Sequence, residues 1–281
     1  MNRQGTTNAG DRLTAALSRH ERLVVAFSGG ADSALIAWWA TDVLGPDAVL
    51  CVTAVSPSLA LGEREDARAL AEEWGLRWCE VVTDEISEPA YVANDTDRCA
   101  HCKTALMDEL EPLARAEGAA IALGVNVDDL GDHRPGQAVA AERGAVFPFV
   151  EAGLTKADVR SLSRDAGLRT WDKPAAACLS SRIPYGTPVT LSVLDSVGRA
   201  EAKLRALGFA AVRVRHYGSV ARLEVPVEDF AAVLTKRASV VDAVLGAGYG
   251  YVTLDLEGLR SGNLNRGLAG VPTGPPEHEG N

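Results

Sequence analysis

The 281-residue chain lacks any apolar run long enough to span a bilayer. Its first ten residues, Met1 to Gly10, are polar and hold no apolar core of a secretory signal. No membrane partner and a cytoplasmic location are therefore expected. Positive charge is also scarce: 28 Lys and Arg against 38 Asp and Glu leave a net charge of −10. Proteins that grip many phosphates present a basic face, so a nucleic-acid partner is not expected. No internal repeat is visible. Cysteine is sparse, with Cys51, Cys79, Cys99, Cys102 and Cys178 the only five. In a reducing compartment such thiols point to chemistry or burial rather than to a disulfide scaffold. The rest is ordinary: 47% hydrophobic residues in a chain of this length build a full core in one large or two modest domains.

Apolar runs at 23–27, 49–56, 77–83 and 119–126 predict buried strands. Helical patterns fall between and after them, at 32–44, 62–74, 103–117 with Pro112 as a bend or break, and 155–166 behind a capping box at Thr155. Strands alternating with helices predict an α/β, doubly wound parallel sheet. After Gly186 the order changes. A helix over 190–207, strands at 211–216 and 220–225, a helical stretch over 228–245 and a strand at 249–256 predict a smaller α+β domain. Domains are expected at 1–186 and 187–270. A Gly-, Pro- and Glu-rich tail at 271–281 is expected to be disordered.

Ser28-Gly29-Gly30-Ala31-Asp32-Ser33 lies between the first strand and the first helix of that pattern. Glycine lets the backbone turn tightly and approach an anion, and the following helix start points N–H groups at it. Ser28 and Ser33 add hydroxyl donors. Asp32 caps the helix or helps hold Mg²⁺. The loop has no Gly-Lys-Ser/Thr and no G-x-G-x-x-G, which excludes a Walker A loop and a dinucleotide fingerprint. Residues 23–33, with Ala26 and Phe27 leading in, resemble the PP-loop ATPase superfamily. That resemblance implies ATP cleaved between its α and β phosphates, with AMP passed to a carboxylate or carbonyl oxygen. Downstream, Gly124 would let adenine or ribose come close. Asp128 and Asp129 follow the fourth strand at the edge where doubly wound sheets bind ligands, although an Asp pair there also suits a turn.

Cys99 and Cys102 stand three apart near a helix start, which puts both sulfurs on one face. A helix N-terminus favours thiolate. Alone, the pair suits zinc, redox chemistry or neither. No second C-x-x-C completes a four-ligand zinc site. Cys178 has Lys173 and Arg182 close in sequence, both able to lower a thiol pKa. Three cysteines without a fourth suit a [4Fe–4S] cluster with one iron open. Cys51 and Cys79, in predicted strands, are read as core.

Further segments carry a closer resemblance. They are Gly124 to Asp129, Asp132 to Gly136, Gly153 to Lys156, Lys173 to Gly186, Val212 to His216, Thr253 to Leu256 and Arg260 to Gly262. Together they resemble LarE, the family of ATP-dependent sulfur transferases of nickel-pincer nucleotide biosynthesis. One local difference is His133, where the family more often has Tyr. The resemblance implies a small-molecule nucleotide substrate, pyridinium-3,5-biscarboxylic acid mononucleotide, whose carboxylate becomes an acyl adenylate before sulfur displaces AMP. It implies that Cys178 either gives up its own sulfur or holds a [4Fe–4S] cluster with Cys99 and Cys102; the presence of all three favours the cluster. It tips Arg213 and Arg215, which share one strand face, from a solvated face toward a clamp for the substrate phosphate. Ser180 and Arg182 would position substrate or leaving AMP. Glu201 and Glu224 are candidate metal or acid/base groups, or surface charges. A homo-oligomer in transient contact with other enzymes of that pathway is the family expectation. The competing readings are a tRNA thiolase, an ammonia-using synthetase and a nucleotide-binding regulatory module without turnover.

Overall fold

The computed structural model describes residues 8–131, 135–174 and 177–260. The motif residues Asp132, His133, Arg134, Ser261 and Gly262, and the tail at 271–281, lie outside the described residues. Contacts divide the chain into two units, Met1–Ala177 and Cys178–Asn281. The division falls ahead of the boundary expected at Gly186.

Unit 1 runs α1 (Asn8–Leu17), β1 (Leu23–Ala26), α2 (Ala31–Leu44), β2 (Val49–Val55), α3 (Leu61–Trp74), β3 (Trp78–Val82), α4 (Pro89–Ala93), α5 (Arg98–Glu117), β4 (Ala120–Ala122), α6 (Pro135–Glu142), α7 (Pro148–Glu151) and α8 (Lys156–Asp165). Its sheet has the order β3-β2-β1-β4, and every pairing is parallel. Chain order reverses between β1 and β4, which creates the crevice at the carboxyl ends where such sheets take ligands. Strand β1 shows why the sheet is buried on both faces. Leu23 and Val25 join a core cluster with α1, α2, α3 and α8, while Val24 joins the opposite cluster with α5 and α6. Each such side chain contributes about 2 kcal/mol by leaving water.

Three sequence expectations change. The predicted strand at 119–126 pairs only over Ala120–Ala122, because the chain turns at Leu123 to bring Gly124 onto α2. Helix α5 begins at Arg98 and continues through Pro112; buried Met107, Leu110 and Ala114 hold both sides of the proline in place. Helix α1 was not anticipated, yet it buries Leu13, Ala16 and Leu17.

Unit 2 runs α9 (Leu191–Ala206), β5 (Arg213–Tyr217), β6 (Val220–Glu224), α10 (Phe230–Thr235), α11 (Arg237–Leu245) and β7 (Tyr251–Leu254). Thr190 caps α9 by accepting the Val193 N–H. Strands β5 and β6 form an antiparallel hairpin whose turn uses Gly218 at φ +62°, and β7 joins β6 in parallel. The helical stretch expected over 228–245 is broken at Lys236, whose ammonium is drawn off to the Leu207 carbonyl. Among the described residues of the chain, no helix is long and apolar enough to cross a membrane.

Candidate active site

Strand β1 delivers the Ser28–Ser33 loop to the crevice. Phe27 is buried and belongs to the core; its backbone is locked to β2, with its carbonyl accepting from Thr53 Oγ1 at 2.6 Å. Ala26 is half-buried at the strand end. Within the loop, the Ser28 N–H donates to Ser33 Oγ at 3.1 Å, and Ser33 Oγ donates to the Gly30 carbonyl at 3.2 Å. Gly29 adopts φ +69°, and an added Cβ would lie 3.0 Å from the Ala67 Cα of α3. Glycine is thus demanded there by both backbone conformation and packing. No side chain caps α2 at Gly30. Its first-turn N–H groups and the helix dipole are left for an anion.

Asp32 does not cap α2. One carboxylate oxygen accepts from Asn126 Nδ2 at 3.4 Å, and the other pairs with Lys156 Nζ at the start of α8. Gly124 is also required by packing. A Cβ there would lie 3.0 Å from both Asp32 Cβ and Ser33 N, so the glycine admits the helix start itself. Asp128 accepts the Lys156 N–H at 2.8 Å, and Asp129 accepts the Asn126 N–H at 3.1 Å. Asp129 therefore closes the turn after β4, and Asp128 ties that turn to the start of α8. Lys173 donates to the Gly29 carbonyl at 3.1 Å and pairs with Asp66 at 2.5 Å and Glu63 at 3.0 Å. It braces the phosphate loop against α3.

Cys99 lies in the first turn of α5 and is exposed, Cys102 follows at the start of the second turn and is half-buried, and neither forms a disulfide. Helix α6 seats on this turn: a Cβ at Gly136 would meet the Cys99 carbonyl at 2.7 Å. Burial holds the neighbouring Lys103 ammonium below the ordinary lysine value, against an opposing pull from Cys102 and Cys99. Cys51 is fully buried, and burial, then Cys79, push its thiol up to about 12. It is inert core.

In unit 2, Cys178 is a half-buried free thiol just before a short 3-10 turn, Leu179–Arg182. Ser181 Oγ donates to the Cys178 carbonyl at 2.7 Å, and Arg182 Nη1 donates to it at 3.3 Å. Arg215 Nη1 donates to the Ser181 carbonyl at 2.6 Å. Two buried glutamates anchor these arginines. Glu201 takes Arg182, Arg205 and the Val214 N–H, and Glu224 takes Arg215 and Arg222. Glu201 and Glu224 thus serve as counter-ions, and Ser180 is wholly buried. Arg213 differs. It donates to the Arg260 carbonyl at 2.9 Å and has no ion-pair partner among the described residues. Burial first, then Arg182 and Arg215, push its pKa below the ordinary arginine value. Glu224 and Glu201 oppose that push.

Lys156 and the loop contact of Lys173 were not expected from the sequence. A signal for Lys156 was available: a cation at the first position of a helix opposes the dipole.

The loop, the uncapped helix start and the reversed sheet define an ATP-binding PP-loop enzyme, and residues 12–113 match the NAD synthase family. An uncharacterized protein of Synechocystis sp. is 48% identical over 251 residues, covering 88% of this chain and 93% of the relative. The pyridinium-3,5-bisthiocarboxylic acid mononucleotide synthase of Lactiplantibacillus plantarum is 39% identical over 254 residues, covering 90% of this chain and 92% of that enzyme. An uncharacterized protein of Methanocaldococcus jannaschii is 23% identical over 244 residues, covering 86% of this chain and 92% of the relative. The chain belongs to the LarE family of ATP-dependent, sulfur-transferring enzymes.

Proposed function

We propose that this enzyme adenylates a carboxylate of pyridinium-3,5-biscarboxylic acid mononucleotide and replaces the AMP with sulfur. The Ser28–Ser33 loop and the α2 start would hold the pyrophosphate portion of ATP. A substrate carboxylate oxygen attacks the α-phosphorus, and the bond to the β-phosphate bridge breaks to release pyrophosphate. Sulfur then attacks the acyl carbon, and the C–O bond to AMP breaks to leave a thiocarboxylate. Arg213, within the positive potential of Arg182 and Arg215, would take the substrate phosphate.

The observation that carries this reading is the clamp on the Cys178 turn. Buried Arg182 and Arg215 grip carbonyls at its two ends, Cys178 and Ser181, and leave the thiol itself outside the network. Such fixation suits a sulfur that must be held in place, as a cluster ligand or as the sacrificed thiol. The name of the Lactiplantibacillus relative supports the substrate class.

Among the described residues no three His, Cys, Asp or Glu side chains are gathered to hold a metal ion; the [4Fe–4S] reading is carried by the thiolate chemistry of Cys99, Cys102 and Cys178 alone. Cys99 and Cys102 share one helix face and a positive helix start. When bound, the cluster would supply sulfide through its open iron. Asp32, on the carboxyl edge beside the phosphate loop, is the candidate ligand for the Mg²⁺ that accompanies ATP. A homo-oligomer in contact with other pathway enzymes is the working form in this reading.

The test is Cys178→Ala with ATP and the biscarboxylic mononucleotide, following AMP, pyrophosphate and thiocarboxylate by mass spectrometry. Adenylation is expected to persist and thiocarboxylate to vanish. Multi-turnover thiolation by the variant would overturn the role of Cys178.

A further inference from the structure

One face of the unit 2 sheet is charged at one end and aromatic at the other. Paired residues on neighbouring strands share a face, so the register sorts this face into rows. Arg213 pairs with Glu224; Arg215, Arg222 and Thr253 make the next row; Tyr217, Val220 and Tyr251 make the third. Successive rows stand about 7 Å apart. The opposite face is core, with Val214, Ala221 and Leu223 buried. The Cys178 turn lies on the middle row, where buried Arg215 donates to the Ser181 carbonyl. The third row is open: Tyr217 is 44% and Tyr251 67% exposed. Two observations point from this face to a ligand. Arg215 Nε and Arg222 Nε are buried donors with no hydrogen-bond acceptor among the described residues, a costly state unless an acceptor arrives. The tyrosine row also attracts cations, since the Arg222 guanidinium lies over the Tyr217 ring, 5.1 Å from its centroid. The Tyr251 side chain, in the same row, makes no ring contact among the described residues.

We propose that Tyr251, with Tyr217 beside it, is the subsite for the pyridinium ring of the substrate. That ring is a planar cation, the kind of group a tyrosine face attracts. The phosphate of the same molecule falls to the arginine rows, one or two steps along the strands. A mononucleotide carries both groups with one ribose between them, which suits that spacing. The charge order of the face matches the molecule, anion to arginine and cation to tyrosine. The ring is then held beside the turn that carries Cys178. The inference rests on the proposed substrate and adds the residues that select its ring.

The experiment is calorimetric titration of the full chain, without ATP, with pyridinium-3,5-biscarboxylic acid mononucleotide and, separately, with ribose 5-phosphate, which has the phosphate but no ring. Tyr251→Ala is expected to weaken mononucleotide binding by about 3- to 30-fold, the loss of one cation–π contact, with ribose 5-phosphate unchanged. Tyr251→Phe keeps the ring and is expected to restore most of the affinity. Wild-type mononucleotide affinity in Tyr251→Ala overturns the proposal. So does an equal loss of both ligands; if the solution mass falls as well, the row is a contact between copies of the chain. Should Tyr251→Ala fail to fold, Tyr251→Leu decides: it keeps apolar bulk without a π face, and wild-type mononucleotide affinity there overturns the subsite. Thiocarboxylate formation by wild type with undiminished binding by Tyr251→Ala would sink this inference and leave the proposed function standing. Ring binding that depends on Tyr251 without any thiocarboxylate would do the reverse. A wild-type chain that does not bind the mononucleotide sinks both.

Discussion

Arg182 and Glu201 meet in a buried, two-pronged ion pair, Nε to Oε1 at 2.8 Å and Nη2 to Oε2 at 3.2 Å. Glu201 is fully buried and also receives Arg205 and the Val214 N–H. Truncating one partner strands the other charge away from water. Glu201→Ala is therefore expected to cost about 3–5 kcal/mol, seen as a lower urea midpoint. Glu201→Gln keeps the shape and should lose less. A Glu201→Ala chain as stable as wild type would show that Glu201 is no anchor.

Gly29 and Gly30 are adjacent but not equivalent. Ala at Gly29 meets both a left-handed φ of +69° and the Ala67 backbone at 3.0 Å. The conformational strain alone is about 1–2 kcal/mol, and the loop must shift away from α3. Ala at Gly30 meets only Ser28 Oγ at 3.4 Å. Gly29→Ala is expected to lose ATP affinity by tenfold or more, on the order of an ångström-scale misplacement, with Gly30→Ala much milder. Equal affinities in the two variants would contradict the packing argument.

Cys99 tests the sulfur carrier. Anaerobically purified wild type is expected to hold iron and acid-labile sulfide and to be brown. Cys99→Ala should remove both, whereas Cys51→Ala should not, since Cys51 is core. Colourless wild type that turns over once, with Cys178 converted to dehydroalanine, would establish the sacrificial route instead.

Glu117 ends α5 and binds Arg77 through two contacts, Nη1 to Oε2 at 2.8 Å and Nη2 to Oε1 at 2.5 Å, and Arg22 at 2.6 Å. Hydrogen bonds from Arg77, then Arg22, lower its carboxyl from 4.5 to about 2. The unfolded chain thus binds the proton more readily than the folded one. Its contribution is fully present above about pH 4.5 and is lost as pH falls toward 2. Glu117→Gln is expected to flatten the acid limb of the stability profile in that window. An unchanged acid limb would mean that the pairs are screened to insignificance.

Much of the fold was legible before any coordinates. Strand β1 was readable because apolar residues fill both faces of a parallel strand, and α8 because its cap lies within four residues of sequence. The phosphate loop was legible for a similar reason: the glycine–serine pattern encodes its own turn and its own donors. Other parts resisted. Pro112 predicted a bend or a break, and no break occurs: α5 runs on through it, with buried Met107, Leu110 and Ala114 on either side. Gly124 also has a packing role that no local pattern announced, since an added Cβ there would meet the first turn of α2. Lys173 stood near Cys178 in sequence, yet it serves Gly29, Asp66 and Glu63.

By itself, the sequence determined the alternation of the four parallel strands with their main helices and the ATP loop, because strand periodicity, caps and tight turns depend on residues a few positions apart. It also carried the motifs that define the family. Only the tertiary structure decided which charges are spent and which remain available. Asp32 meets Lys156 across 124 positions and Lys173 meets Asp66 across 107; Arg182 finds Glu201 across 19 and leaves Arg213 without an ion-pair partner among the described residues. An ion pair forms wherever packing brings opposite charges together, and no local pattern announces the partner.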